Sequence, residues 1–119
     1  MQTTALIRRT LPEWAKRPLR AAKTLHRRAV LRRTLAALCH DGMGEDGIPS
    51  EQTVRALVYG WGNTKWAADP AYIRTFMQYA RQAANDILEC GSGLSTLLLG
   101  LAARDTDVRV WSLEHDAEW

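Results

Sequence analysis

Long apolar runs are missing from this chain. No stretch approaches the roughly 18 continuous apolar residues that a membrane-spanning helix needs, so such a helix is excluded. The N-terminus lacks the apolar core of a secretory signal. Cysteine is scarce: Cys39 and Cys90 are the only two, and no C-x-x-C occurs. That excludes a disulfide framework and fits a reducing compartment. The three histidines, His26, His40 and His115, are scattered, so no zinc or other metal site is expected. Serine is absent from residues 1–40, and the basic pattern runs on to Arg33. Both argue against an organelle transit peptide, despite the arginine-rich, acid-poor start. No internal repeat and no low-complexity tract is present.

With 119 residues there is room for one small domain. Five tryptophans argue against wholesale disorder. The formal charge of +3 conceals a split. Residues 1–40 carry ten Lys/Arg against one acid, Glu13, a balance of +9. The remaining residues carry six Lys/Arg against twelve acids, a balance of −6. The two parts are electrostatically different objects.

Pro12 and Pro18 are expected to break any long helix near the start. From Leu19 to His40 the pattern reads as a helix. Leu31, Leu35 and Leu38 recur at helical spacing, with Leu25 and Ala29 continuing the stripe loosely and arginine pairs on the other faces. The segment HDGMGEDGIPSEQ is the clearest linker. Ser50 is a helix N-cap candidate for a helix to about residue 59, and Asp69-Pro70 opens another over 70–84 with Ile73, Met77 and Ala80 on one face. Asn85-Asp86 ends it. Ile87-Leu88 begins a short strand, Gly91-Ser92-Gly93 is a tight loop, 94–104 is a Leu/Ala-rich helix, and 108–113 is a second strand. Strand, glycine loop, helix and strand make one βαβ unit.

In such a unit the loop after the first strand lies at the carboxyl edge of the sheet, where ligands bind. Glycines there admit a ligand close to the backbone, and the following helix presents free N–H groups. Glu114 follows the second strand, 23 residues after Gly91, the spacing expected of an acid that accepts hydrogen bonds from ribose hydroxyls. A dinucleotide fingerprint requires a third glycine where Thr96 stands, so that pattern fails. Glu89-Cys90-Gly91-Ser92-Gly93 instead puts an acid at the strand tip. A carboxylate there is a poor neighbour for a pyrophosphate and a good partner for an ammonium-bearing ligand such as S-adenosylmethionine.

ILECGSGLSTLLLG followed by VWSLEHDAEW resembles the first two motifs of class I S-adenosylmethionine-dependent methyltransferases. It is most similar to the subgroup with a Gly-Ser-Gly-x-Ser-Thr loop. The resemblance covers about 35 of the 119 residues. It implies a cofactor-binding set of Glu89, Gly91, Ser92, Gly93, Ser95, Glu114 and His115. Glu89, Gly91 and Gly93 would line the methionine side, Glu114 would hold the ribose, and His115-Asp116 would flank the adenosine. Ser95 stands where many relatives carry a third glycine.

The resulting expectation is an α/β, Rossmann-like methyltransferase fold. Residues 1–49 form a basic helical segment and linker, 50–84 a helical lead-in, and 85–119 the first βαβ unit. Two parallel strands and one crossover helix cannot bury both faces of a sheet. The chain is therefore expected to be the N-terminal portion of a cytoplasmic methyltransferase, inactive by itself, with acceptor and catalytic base unassigned. Trp61, Asn63 and Trp66 are candidates to cover the cofactor, though core anchoring suits the tryptophans better. Cys90 reads as a small apolar filler rather than a nucleophile, and His115 as a cofactor neighbour rather than a base. The alternative is a non-catalytic adaptor whose basic helix, residues 19–40, docks on an anionic membrane or on nucleic acid. Nucleic acid is disfavoured because aromatic residues do not interleave with the basic ones. A solvated helix packed on the domain through Leu31, Leu35 and Leu38 is the plain reading of the same segment.

Overall fold

A computed structural model describes residues 12–118 apart from 45, 64 and 66. Among the described residues there are four helices and one two-stranded sheet, in the order α1 (Glu13–Asp41), α2 (Glu51–Trp61), α3 (Pro70–Gln82), β1 (Ile87–Cys90), α4 (Leu94–Ala103), β2 (Val110–Leu113). Helix dominates. None of the described helices is long and apolar enough to cross a membrane.

The local signals for α2 and α3 are met at the atomic level. Ser50 Oγ accepts from the Thr53 amide at 3.1 Å, and Asp69 Oδ1 accepts from the Ala71 amide at 2.8 Å. Each satisfies a first-turn donor that the helix cannot. Gly62, at φ 86°, ends α2 with its N–H on the Val58 carbonyl, two residues beyond the expected end.

Helix α1 departs from expectation. Pro12 lies just outside it, but Pro18 sits inside, so the helix runs 29 residues from Glu13. The proline removes one ladder donor and crowds the carbonyl of Trp14, four residues back. Trp14 is 77% exposed, which leaves water within reach of that carbonyl. Leu25 and Ala29 do not continue the core stripe. Both are exposed, whereas Leu38 is buried and Leu31 and Leu35 pack against the core. At 100° per residue, Leu25 points away from the arc that Leu31, Leu35 and Leu38 share.

The core is built from α2, α3 and α4. Val54, Leu57, Met77 and Leu98 are fully buried, with Ile73 at 2%. Burial of a side chain of this size contributes about 1.5–3 kcal/mol. Helices α1 and α2 approach closely at Gly60: a methyl added there would lie 2.8 Å from the backbone nitrogen of Leu31. Arg27 closes the same contact. Its Nη1 donates to the Gly62 carbonyl at 3.3 Å, and its guanidinium stands 5.3 Å from the centre of the Tyr59 ring.

β1 and β2 pair in parallel, Ile87 with Val110 through Cys90 with Leu113, joined through α4. β2 begins two residues later than the sequence predicts. The Arg109 amide donates to Asp86 Oδ1 at 3.0 Å, and the Trp111 indole donates to Asp86 Oδ2 at 3.1 Å. Helix α4 covers one face, where Ile87 and Val110 join the core. On the opposite face Leu88, Trp111 and Leu113 are 63%, 56% and 60% exposed, as two strands with one crossover require.

Candidate functional site

The β1–α4 loop and the tip of β2 form one structure. Gly91 takes φ 92°, a conformation that suits glycine, and its amide donates to the Leu113 carbonyl at 2.6 Å. That bond carries the parallel pairing past Cys90 and brings the loop beside Glu114. Ser92 then donates to Glu114 Oε2 twice, from its amide at 2.9 Å and its hydroxyl at 2.8 Å. Glu114 Oε1 accepts from the amides of His115 at 2.8 Å and Asp116 at 2.9 Å, and lies 3.2 Å from His115 Nδ1. These donors stabilise the anion, the Asp116 amide most, then the amide and hydroxyl of Ser92. They hold the Glu114 carboxyl down at about 2, from an ordinary 4.5.

Glu89, at the tip of β1, is occupied from the other side. It accepts from the hydroxyl of Ser95 and, at 2.6 Å, from that of Thr96. Thr96 Oγ1 in turn accepts from the Gly93 amide at 3.0 Å. The acid thus reaches the start of α4 through two hydroxyls, where its charge opposes the positive end of the helix dipole. In the sequence Thr96 marks only the failure of a dinucleotide fingerprint. Its signal was its place in the first turn of a helix opened by glycine, where a hydroxyl can cap.

Beside the loop lies a cavity of about 350 Å³, lined by Gly91, Ser92, Gly93 and Ser95 on one side and by Trp61, Asn63 and Ile73 on the other. Roughly 300–1,000 Å³ is ordinary for a small-ligand site. A methyl built on Gly91 or Gly93 would meet nothing within 4 Å, so the space beside each glycine is open. A second cavity, of about 710 Å³, runs between α3 and β1 past Tyr72, Phe76 and Tyr79 and reaches Glu89 and Ser95. Cys90 borders both cavities and is exposed with a free thiol, not a buried filler.

The candidate residues are therefore brought to one end of the sheet, but unequally. Gly91, Ser92, Gly93 and Ser95 face the smaller cavity. Glu89 and Glu114 bracket the loop, Glu114 accepting from the Ser92 hydroxyl and Glu89 from those of Ser95 and Thr96 in the first turn of α4. The His115 side chain is 97% exposed, and Asp116 is exposed. Trp61 packs against the core and also lines the smaller cavity, while Trp66 lies outside the described residues. Among the described residues no group of three His, Cys, Asp or Glu side chains is placed to hold a metal ion. No family model, no curated protein and no solved structure matches this chain.

Proposed function

We propose that this chain is the cofactor-binding part of an S-adenosylmethionine-dependent methyltransferase of Rossmann-like fold, with the β1–α4 loop as its cofactor cradle. The observation that carries the reading is the pairing of that loop with two carboxylates. Gly91 and Gly93 border open space, and Glu89 and Glu114 stand at adjacent strand tips on either side of them.

The donor set suits the group. Glu89 is an anion at the mouth of the loop, a fitting partner for an α-ammonium. Glu114 already accepts two donors 2.8 and 2.9 Å away on one oxygen, both from Ser92. Ribose hydroxyls would take the place of those donors, so binding the sugar and releasing Ser92 are the same event. Gly91 and Gly93 would let the amino-acid tail approach the backbone, and the first amides of α4, which have no acceptor within the helix, face the loop. Asn63 and Trp61 would close the cavity from the α2 side. The bound cofactor supplies a methyl group on a positively charged sulfur. The chain's own residues supply binding and orientation of that group for in-line attack.

Titration calorimetry with S-adenosylmethionine tests this reading. Gly93 is the informative position. Its φ of 172° is extended backbone that any residue adopts, and a side chain there would project into open space. Gly93→Val should therefore leave the fold intact and abolish binding. Undiminished affinity in a folded Gly93→Val protein would place the ligand elsewhere.

A further inference from the structure

Helix α1 is amphipathic twice, on opposite sides. Its second half packs Leu31, Leu35 and Leu38 against the core. Nearer its start, Trp14, Pro18, Ala22, Leu25 and Ala29 recur every three or four residues and fall within about 80° of arc. That arc is centred roughly 140° round the helix from the core-facing leucines. All five are exposed, Trp14 by 77% and Leu25 by 66%. The stripe thus points away from the body of the protein.

Charge borders it. Arg17 and Arg28 lie along one flank, Arg33 along the other, and Arg32 continues the stripe itself; all four are exposed. From residue 12 to 41 the chain carries eight Lys/Arg against Glu13 and Asp41. We infer that this outward face of α1 docks the protein on an anionic lipid bilayer. Trp14 and Leu25 enter the interface, and the flanking arginines meet lipid phosphates.

The charge distribution selects this occupant. A second copy of the chain, laid face to face on the stripe, would bring arginine flanks against arginine flanks. Nucleic acid would be met by cations at the centre of the contact face, where this helix presents a tryptophan and a leucine. A lipid surface takes both parts, with apolar side chains below the headgroups and guanidinium groups level with them. The body lies on the far side of the helix from the stripe, so it does not obstruct a flat surface. Leu31, Leu35 and Leu38, which the sequence offers for packing on the domain, are the ones the core takes.

Vesicle co-sedimentation of the full 119-residue chain tests the inference. The protein should pellet with vesicles of phosphatidylcholine carrying about one-third phosphatidylglycerol, and far less with phosphatidylcholine alone. Raised salt should weaken the binding. Leu25→Gln and Trp14→Gln should each lower the partition coefficient about tenfold without loss of helix by circular dichroism. Since both side chains are exposed, either variant alone suffices if the other misfolds. Three results would overturn the inference. One is no preference for the anionic vesicles. Another is binding to an RNA oligonucleotide, unaffected by Leu25→Gln, without binding to vesicles. The third is a dimer that Leu25→Gln dissociates, with no vesicle binding in either form.

Discussion

Glu114 illustrates what a single carboxylate can reveal and conceal. Its spacing from Gly91 is the one a ribose-binding acid would have, but its four backbone and hydroxyl partners cannot be read from the sequence. Two of them come from Ser92, 22 residues away, and only folding brings them together. The partners have a consequence for acid titration. The folded-state value, about 2, lies below the ordinary 4.5. The bonds therefore contribute stability that is fully present above about 4.5 and is lost as pH falls from there through about 2. A carbon-detected NMR titration of the Glu114 carboxyl should give a midpoint near 2, and Ser92→Ala should move it upward. A midpoint at the ordinary value would mean that these bonds to Glu114 are not formed. Gly91 carries a similar lesson. A substitution at Gly91 would be the direct probe of the ligand site, but at φ 92° a valine there would strain the loop itself. Gly93 is the cleaner probe.

Elements were legible wherever their signals were local. Ser50 and Asp69 stand one residue before their helices and cap them as read, and Ile73, Met77 and Ala80 share one buried face. Signals that depend on contacts across the chain were lost. The course of α1 through Pro18 was not legible, while the outward turn of Leu25 follows from helical phase, which sets it off the arc of Leu31, Leu35 and Leu38. The late start of β2 depends on Asp86, which looked like a helix breaker and instead clips Arg109 and Trp111. Gly60 belongs to this class as well. Nothing nearby in sequence explains a glycine inside α2, but an added methyl would lie 2.8 Å from the Leu31 nitrogen. Gly60→Ala, normally favourable in a helix, should here destabilise the fold by about 1–3 kcal/mol in urea denaturation, because the two helices must separate to admit it. A variant as stable as the parent would show that α1 does not pack so closely.

At the scale of the molecule, the sheet is half covered. Leu88, Trp111 and Leu113 form an apolar face with α4 on the other side, and the outer edge of β1 borders the larger cavity. Such a face binds apolar probes. Anilinonaphthalene sulfonate should fluoresce with the native chain, and the double substitution Leu88→Lys with Leu113→Lys should quench most of the signal while the helices persist. Equal fluorescence from parent and variant would locate the exposed apolar surface elsewhere. At the other end of the sheet a glycine loop and two acids meet. Amide shift mapping of the isotopically labelled chain with S-adenosylmethionine up to about 1 mM, the weak end of specific binding, tests most directly whether they hold the cofactor. Saturable shifts are expected at Gly91, Ser92, Gly93 and Glu114, with the Ser92 amide moving as its bond to Glu114 is exchanged for the ligand. Unmoved signals at all four residues, or saturable shifts confined to other parts of the chain, would contradict that role.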